Sequence, residues 1–360
     1  MSRLHCVVLV LVLFCCVSLV RSQSPAPAVP AVQPQVSAQV KTAAPVRITL
    51  DVLVTDSAGK PVPDLEPLDF TLLDDNQSSK ILGFRRVDGT VGNKSDPPVE
   101  VIIVLDAVNM PYQAVTQLRL QLQKFLRRNG GHLAQPVSVF VFASDGLQVQ
   151  PAPSKDGNAL AAMLDTSAGT VRALGAAAGD YGLGEQFSKS TQTIKGIAEN
   201  EARKPGRKLL IWLGSGWPLL DSPHFIKSNE GEQRHFMNIV DVSKKLREAR
   251  ITVYGIYTLN SSSEQFLYEA YLKPVRDFHH ADAGNLSMQV LARQTGGRVL
   301  PPGNDIAGQI DSCVADIGAY YTIAFAAPAA AQANEYHDLK VVVGQPGLTV
   351  RTNSGYYNQP

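Results

Sequence analysis

The chain has 360 residues, of which 44% are hydrophobic and 18% are charged. This length and composition allow about two ordinary domains with a sizeable core, and they exclude a small disulfide-stapled scaffold and wholesale disorder. The formal net charge is +1. Because no global field attracts nucleic acid or an anionic membrane, we expect no nucleic-acid partner.

The N-terminus has the pattern of a secretory signal. A basic start precedes an apolar run from Cys6 to Val20, and Arg21 and Ser22 follow at a plausible cleavage site. We assign residues 1–22 to a signal peptide; an uncleaved anchor is the disfavoured alternative, because the run is short for a membrane span. The chain is therefore expected to be exported, to the periplasm or the extracellular space, with no membrane span after cleavage.

Cleavage of this segment leaves one cysteine. Cys6, Cys15 and Cys16 lie within it, so Cys313 remains and no internal disulfide is expected. Cys313 falls at helical spacing among isoleucines and valines, which predicts a small core residue; a reactive thiol is the alternative.

Residues 23–45 are rich in Pro, Ala, Gln and Val, a composition typical of an extended tether. Alternating apolar residues then run from Val46 to Val54, and a second run follows at Phe70–Leu73 after a Gly- and Pro-containing turn. This pattern predicts a small β-sandwich-like module over residues 46–90.

The hydrophobic pattern changes in residues 98–318, where it predicts buried strands that alternate with amphipathic helices. The run Val99–Leu105 is apolar except for one glutamate, as expected for a strand covered on both faces. Repeated strand–helix units of this length predict an α/β domain with a doubly wound, mostly parallel sheet. The predicted strands are 99–105, 137–142, 209–213 and 251–256, and the later predicted helices are 233–250, 285–295 and 304–318.

Residues 319–360 return to β-strand patterns, at 320–325, 337–343 and 348–351. These C-terminal strands either extend the parallel sheet or pack with the N-terminal module, and the sequence leaves both arrangements open.

Several motifs together resemble the von Willebrand factor A domain superfamily, and more closely the exported acidobacterial proteins related to it. The resemblance covers nearly everything after the tether. It implies a Rossmann-like α/β fold that recognises other macromolecules. The motifs are Val52–Asp56, Gly59–Val62, Asp69–Phe70, Val101–Asp106, Pro205–Trp212, Thr295–Gly297, Tyr320–Tyr321 and Gly355–Tyr357.

Members of this family with an intact adhesion site hold a divalent cation through Asp-x-Ser-x-Ser, a loop threonine and a later aspartate. Asp106 matches the first aspartate, but Val108 and Met110 replace the serines. The place of the later aspartate falls among Gly214, Ser215 and Gly216. Thr170 is the candidate for the loop threonine. Since Mg²⁺ requires about six oxygen ligands, we expect a degenerate site without metal or other cofactor; a bound Mg²⁺ is the disfavoured alternative. Asp106 then caps the start of the following helix.

Other residues at the same predicted rim have competing interpretations. Asn109 is expected to fix a turn or a cap. Ser215 lies in Gly-Ser-Gly, which lacks the hydrolase nucleophile pattern, and is expected to be a loop serine. Trp212 is expected in the core, whereas Trp217 is either an exposed partner anchor or packed under its loop. The adjacent pair His279 and His280 is a poor chelate, so a solvated loop is expected there.

These observations predict an exported, non-enzymatic protein-binding or scaffold protein. Its partner is a protein or another envelope macromolecule, contacted through a rim containing Asp106, Asn109, Ser215 and Trp217. Two alternatives stay open: a secreted hydrolase using Ser215 with a histidine, and a purely structural envelope protein.

Overall fold

A computed structural model describes residues 46–91, 97–166, 179–219, 228–257 and 263–360. The predicted signal peptide, the tether and Thr170 lie outside these residues. Within the described part, no helix is both long enough and apolar enough to cross a membrane.

The C-terminal strands and the N-terminal module together form a sandwich of two antiparallel sheets. One sheet has the strand order β13-β1-β11-β4, and the other has the order β14-β12-β2-β3. The strands are β1 (Arg47–Thr55), β2 (Phe70–Asp74), β3 (Gln77–Ser79), β4 (Ile81–Asp88), β11 (Ala319–Ala326), β12 (Glu335–Val343), β13 (Thr349–Arg351) and β14 (Gly355–Asn358).

Pairing across the chain decides between the two arrangements left open for the C-terminal strands. β1 runs antiparallel to β11, from Arg47 opposite Ala326 to Val52 opposite Tyr321, and β2 pairs with β12. The C-terminal strands therefore complete the N-terminal module rather than extend the parallel sheet. Their alternating inward side chains, with Leu50 among them, form one apolar core.

The intervening residues form the α/β domain. Its central sheet has the order β10-β9-β5-β6-β7, and β8 also pairs with β6. The elements are β5 (Glu100–Asp106), α1 (Tyr112–Leu126), β6 (His132–Ala143), β7 (Gly146–Val149), β8 (Ser154–Asp156), α2 (Gly157–Thr166), α3 (Gly179–Glu201), β9 (Lys208–Leu213), α4 (Asn229–Glu248), β10 (Ile251–Ile256), α5 (Met288–Gln294) and α6 (Ile306–Val314).

This sheet confirms the predicted fold class. β5, β6, β9 and β10 are parallel to one another, while β7 and β8, which the sequence did not predict, are antiparallel at one edge. All seven residues of β5 are buried. Val101 and Ile103 pack into one apolar cluster and Ile102 and Val104 into another, so both faces of the sheet are covered.

Cys313 lies in the first of these clusters and is fully buried, which confirms its prediction as a small core residue. Burial raises the pKa of its thiol to about 12.

Candidate functional site

The candidate site lies where the strand order reverses. The chain leaves β5 for β6 on one side and later places β9 on the other. The carboxyl ends of β5 and β9 therefore flank a topological switch point, where doubly wound sheets bind ligands. We call the loops that follow these strands, 107–111 and 214–219, the rim loops.

Asp106, the last residue of β5, is fully buried beneath the rim loops. Its Oδ1 accepts the backbone N–H groups of Val108 and Asn109, each at 3.0 Å. Its Oδ2 accepts the Asn109 side-chain amide at 2.8 Å and the Trp212 indole N–H at 2.9 Å. Each carboxylate oxygen thus has two protein donors, which satisfy a buried anion without a cation.

Burial raises the pKa of Asp106, against the opposing effect of these four hydrogen bonds. The expectation that Asp106 caps the following helix is wrong. The N-cap of α1 is Pro111, five residues further on, because the carboxylate binds N–H groups inside the first rim loop.

Val108 and Met110, which the sequence resemblance matched to serines, both lie in the core. The side chain of Val108 packs into the apolar cluster on one face of the sheet, and that of Met110 into the cluster on the other. Neither supplies an oxygen to the space beside Asp106.

Gly214 closes the same space from the second rim loop. Its φ of +145° is in a region that favours glycine, and a Cβ at this position would lie 2.8 Å from the Cβ of Asp106. The chain therefore has no room for a second carboxylate at the first position of the segment that aligns with the family's later aspartate.

Asn109 links the rim to helix α3. Its side-chain amide donates to Ser190 Oγ at 3.0 Å as well as to Asp106, and Gln186 of the same helix donates to the Val108 carbonyl at 3.3 Å. Asn109 is half-buried, and its polar contacts hold the loop in place.

Trp217 is not an exposed anchor: it is fully buried. Its indole N–H donates to the Leu286 carbonyl at 2.9 Å, and its ring packs edge-on against Trp212 at 5.2 Å between centroids. Of its two interpretations, packing under the loop is therefore correct. Trp212 lies in the core as expected.

Ser215 is half-buried, and its neighbours Gly214 and Gly216 are buried. None of the hydrogen bonds in the described part of the chain joins it to a histidine. The serine–histidine contact on which the hydrolase alternative depends is therefore not formed by these residues.

Sequence reasoning missed the exposed aromatic residue at this rim. Tyr112 is the first residue of α1 and is 56% exposed. It lies three residues before the buried Val115, so helical spacing gave no signal of its exposure. Leu183 of α3, near the Gln186 contact, is also exposed.

His279 and His280 lie in a short 3₁₀ helix, and both are exposed as expected. Asp277 caps that helix and contacts His280 Nδ1 at 2.9 Å. The hydrogen bond with His280 lowers the pKa of Asp277.

No family model matches the sequence, and no curated protein matches it. Solved structures with similar folds include human COPII-coat protein Sec24c (10% identity, 77% of this chain, 46% of that chain, TM-score 0.39). They also include manganese-loaded Plasmodium vivax TRAP protein (12% identity, 75% of this chain, 96% of that chain, TM-score 0.33). A third is the SpRpn10 VWA domain (12% identity, 59% of this chain, 93% of that chain, TM-score 0.29). The chain spans less than half the length of the Sec24c chain.

Proposed function

We propose that this chain is an exported, non-enzymatic protein-binding or scaffold protein with a von Willebrand factor A-like domain and a degenerate cation site. Its partner is a protein or another envelope macromolecule, and it binds at the rim loops without metal or other cofactor. The carboxylate of Asp106 supports this proposal most directly, because four protein donors occupy it. Fold alone does not determine function, so the argument depends on this site.

The accessible part of the rim differs from the one predicted from the sequence. Asp106 and Trp217 support the loops from beneath, while Tyr112 offers an exposed aromatic ring beside them. Tyrosine is a frequent anchor of protein interfaces since it combines a large apolar face with a hydroxyl. We therefore assign the direct contact to Tyr112, Asn109 and Ser215.

Alanine substitution on one helix tests this surface. Tyr112 and Leu120 are both in α1 and are both 56% exposed, but Leu120 lies about 12 Å further along the helix. Envelope extract is passed over immobilised wild type, Tyr112→Ala and Leu120→Ala, and the retained proteins are quantified by mass spectrometry. A partner retained by wild type and Leu120→Ala but lost with Tyr112→Ala is the expected result. Equal retention by all three variants, or no retained partner, favours the purely structural alternative.

Calorimetric titration tests the proposal that the rim loops bind their partner without a metal ion. We expect no Mg²⁺ binding that depends on Asp106, so wild type and Asp106→Asn give the same isotherm. Micromolar Mg²⁺ binding that is lost in Asp106→Asn contradicts the proposal.

Export is tested separately by N-terminal sequencing of the chain recovered from periplasmic and culture fractions. A new N-terminus near residue 23 is expected. An intact Met1 in a membrane fraction favours the anchor alternative.

A further inference from the structure

We propose that the β-sandwich holds a divalent transition-metal ion, of which Zn²⁺ is the best match, between Asp74, Asp75 and His337. In the described part of the chain, these are the residues whose carboxylate and imidazole atoms come together closely enough to share an ion: the three ligand atoms lie within 4.8 Å of one another. The site is in the module, remote in sequence from the rim loops, and is independent of the proposed function.

The fold brings these residues together from distant parts of the sequence. Asp74 ends β2, and its side chain faces the sandwich interior in line with Phe70 and Leu72. His337 lies on β12 in line with Leu339 and faces the same interior. At this end of the sheet, the inward-facing side chains are therefore a carboxylate and an imidazole instead of apolar groups.

Asp75 completes the group from the turn between β2 and β3. It has a φ of +47°, and its neighbour Asn76 has a φ of +63°. Its backbone N–H donates to the Asp338 carbonyl at 2.8 Å, which holds the turn against β12. The side chain of Asp75 is partly exposed, whereas those of Asp74 and His337 are buried. Asp75 therefore lies where an ion would enter.

The separations of His337 Nδ1 from the two carboxylates match those between ligands of a transition-metal ion. His337 Nδ1 is 2.9 Å from Asp74 Oδ1 and 3.4 Å from Asp75 Oδ2. Ligands bound to Zn²⁺ at about 2.0–2.2 Å lie roughly 3.0–3.4 Å apart in octahedral and tetrahedral arrangements. One imidazole nitrogen and two carboxylate oxygens suit Zn²⁺, which leaves a fourth position for water.

The remaining oxygen of each carboxylate is held by a separate donor. Tyr356 Oη donates to Asp74 Oδ2 at 2.8 Å. Arg276 Nη2 donates to Asp75 Oδ1 at 3.1 Å, and the Asp338 backbone N–H donates to the same atom at 3.2 Å. Such outer contacts orient metal-binding carboxylates.

The imidazole is oriented for this role as well. The His337 ring is stacked on the Tyr356 ring, with 4.8 Å between centroids and 16° between planes. His337 is 6% exposed, and its Nε2 has no hydrogen-bond partner in the described part of the chain. The ring's polar contacts are thus made by Nδ1, toward the two carboxylates.

Charge favours an ion at this position. Asp74 and Asp75 place two carboxylates side by side, and Arg276 pairs with Asp75 from the exposed side. A divalent cation would neutralise the pair, whereas a buried carboxylate without full compensation is costly.

Titration of the purified chain with Zn²⁺, followed by calorimetry at pH 7.5, tests the proposal. Asp75→Asn removes a partly exposed ligand with little risk to folding. We expect this variant either to bind no equivalent of Zn²⁺ or to bind it with an affinity at least a hundredfold lower. Asp277→Asn is the matched control, because it removes another exposed aspartate that contacts a histidine; we expect binding to be unchanged. Tyr356→Phe retains all three ligands and loses one outer contact, so a loss of about tenfold is expected.

A second readout is the thermal midpoint of unfolding, which Zn²⁺ raises in wild type and Asp277→Asn but not in Asp75→Asn. The proposal is overturned if wild type and Asp75→Asn bind Zn²⁺ equally, if neither binds, or if Asp277→Asn has the larger effect. In those cases the contact between His337 and Asp74 serves the sandwich alone. The rim experiments are unaffected by either result, since Tyr112 and Asp106 lie in the other domain.

Discussion

The indole N–H of Trp212 donates to the carboxylate of Asp106 at 2.9 Å, between the carboxyl ends of two adjacent parallel strands. Both residues are fully buried. The contact puts an uncharged donor against a buried carboxylate. It also joins β5 to β9 at the switch point of the sheet.

Replacing Trp212 by Phe should therefore cost more than the same change at Trp217. Both tryptophans are fully buried, and both indoles donate a hydrogen bond of 2.9 Å, but Trp212 binds a carboxylate and Trp217 a backbone carbonyl. A hydrogen bond to a charged group contributes about 1.5–3 kcal/mol, against roughly 1 kcal/mol for a neutral one. Urea unfolding of Trp212→Phe and Trp217→Phe measures the difference. An equal or larger loss in Trp217→Phe would contradict the ionised, hydrogen-bonded state of Asp106.

Gly214→Ala should destabilise the chain more than Gly146→Ala. Both glycines have positive φ, +145° and +129°, but the new Cβ at 214 would lie 2.8 Å from Asp106 Cβ, whereas nothing lies within 4 Å at 146. The backbone strain common to both costs on the order of 1–3 kcal/mol, and overpacking adds a similar amount at Gly214. The unfolding free energies of the two variants give the comparison. If the losses are the same, the space beside Asp106 is larger than described.

The sheet and its helices were predictable because their signals are local. An uninterrupted apolar run predicted β5, and the structure buries all seven of its residues. Helical spacing likewise predicted the burial of Cys313. The short edge strands β7 and β8 were missed because they are partly exposed and lack an apolar run.

The candidate site was less predictable, because it depends on contacts between residues that are far apart in the sequence. The burial of Trp217 depends on the Leu286 carbonyl, 69 residues away. Asp74 and His337 are 263 residues apart, and their proximity follows from the pairing of β2 with β12, one of the two arrangements that the sequence left open. The exposure of Tyr112 was not readable from helical spacing, because Tyr112 lies three residues before the buried Val115.

Asp106→Asn should be destabilised at pH 7, by about 2–4 kcal/mol, because an amide cannot accept hydrogen bonds at both of its terminal atoms. The pH dependence has a definite sign. Burial raises the pKa of Asp106 above its ordinary value of 3.8, so the native state binds this proton more readily than the unfolded state does. By linkage, the stability of wild type relative to Asp106→Asn rises as the pH falls toward 4, by at most about 1.4 kcal/mol per pH unit.

Urea unfolding of both proteins at several pH values between 4 and 7 measures the gap, which is the difference between their free energies of unfolding. Asp277→Asn serves as the control of opposite sign, because hydrogen bonding to His280 lowers the pKa of Asp277. The contribution of Asp277 is present above its unfolded pKa and is lost as the pH falls. A gap between wild type and Asp106→Asn that narrows toward pH 4 would show that the hydrogen bonds outweigh burial.

Cys313 should resist alkylation in the native chain. Burial raises the pKa of its thiol to about 12, and the side chain is fully buried in the core against Ile310 and Ile317. At pH 8 a thiol with this pKa has roughly a thousandfold less thiolate than an ordinary cysteine, and thiolate is the reactive form. Timed iodoacetamide labelling with quantification of the Cys313 peptide by mass spectrometry measures the rate, and labelling in urea supplies the unprotected reference. Native labelling within tenfold of that reference would show that this part of the core opens readily, in conflict with the tight packing of α6 on the sheet.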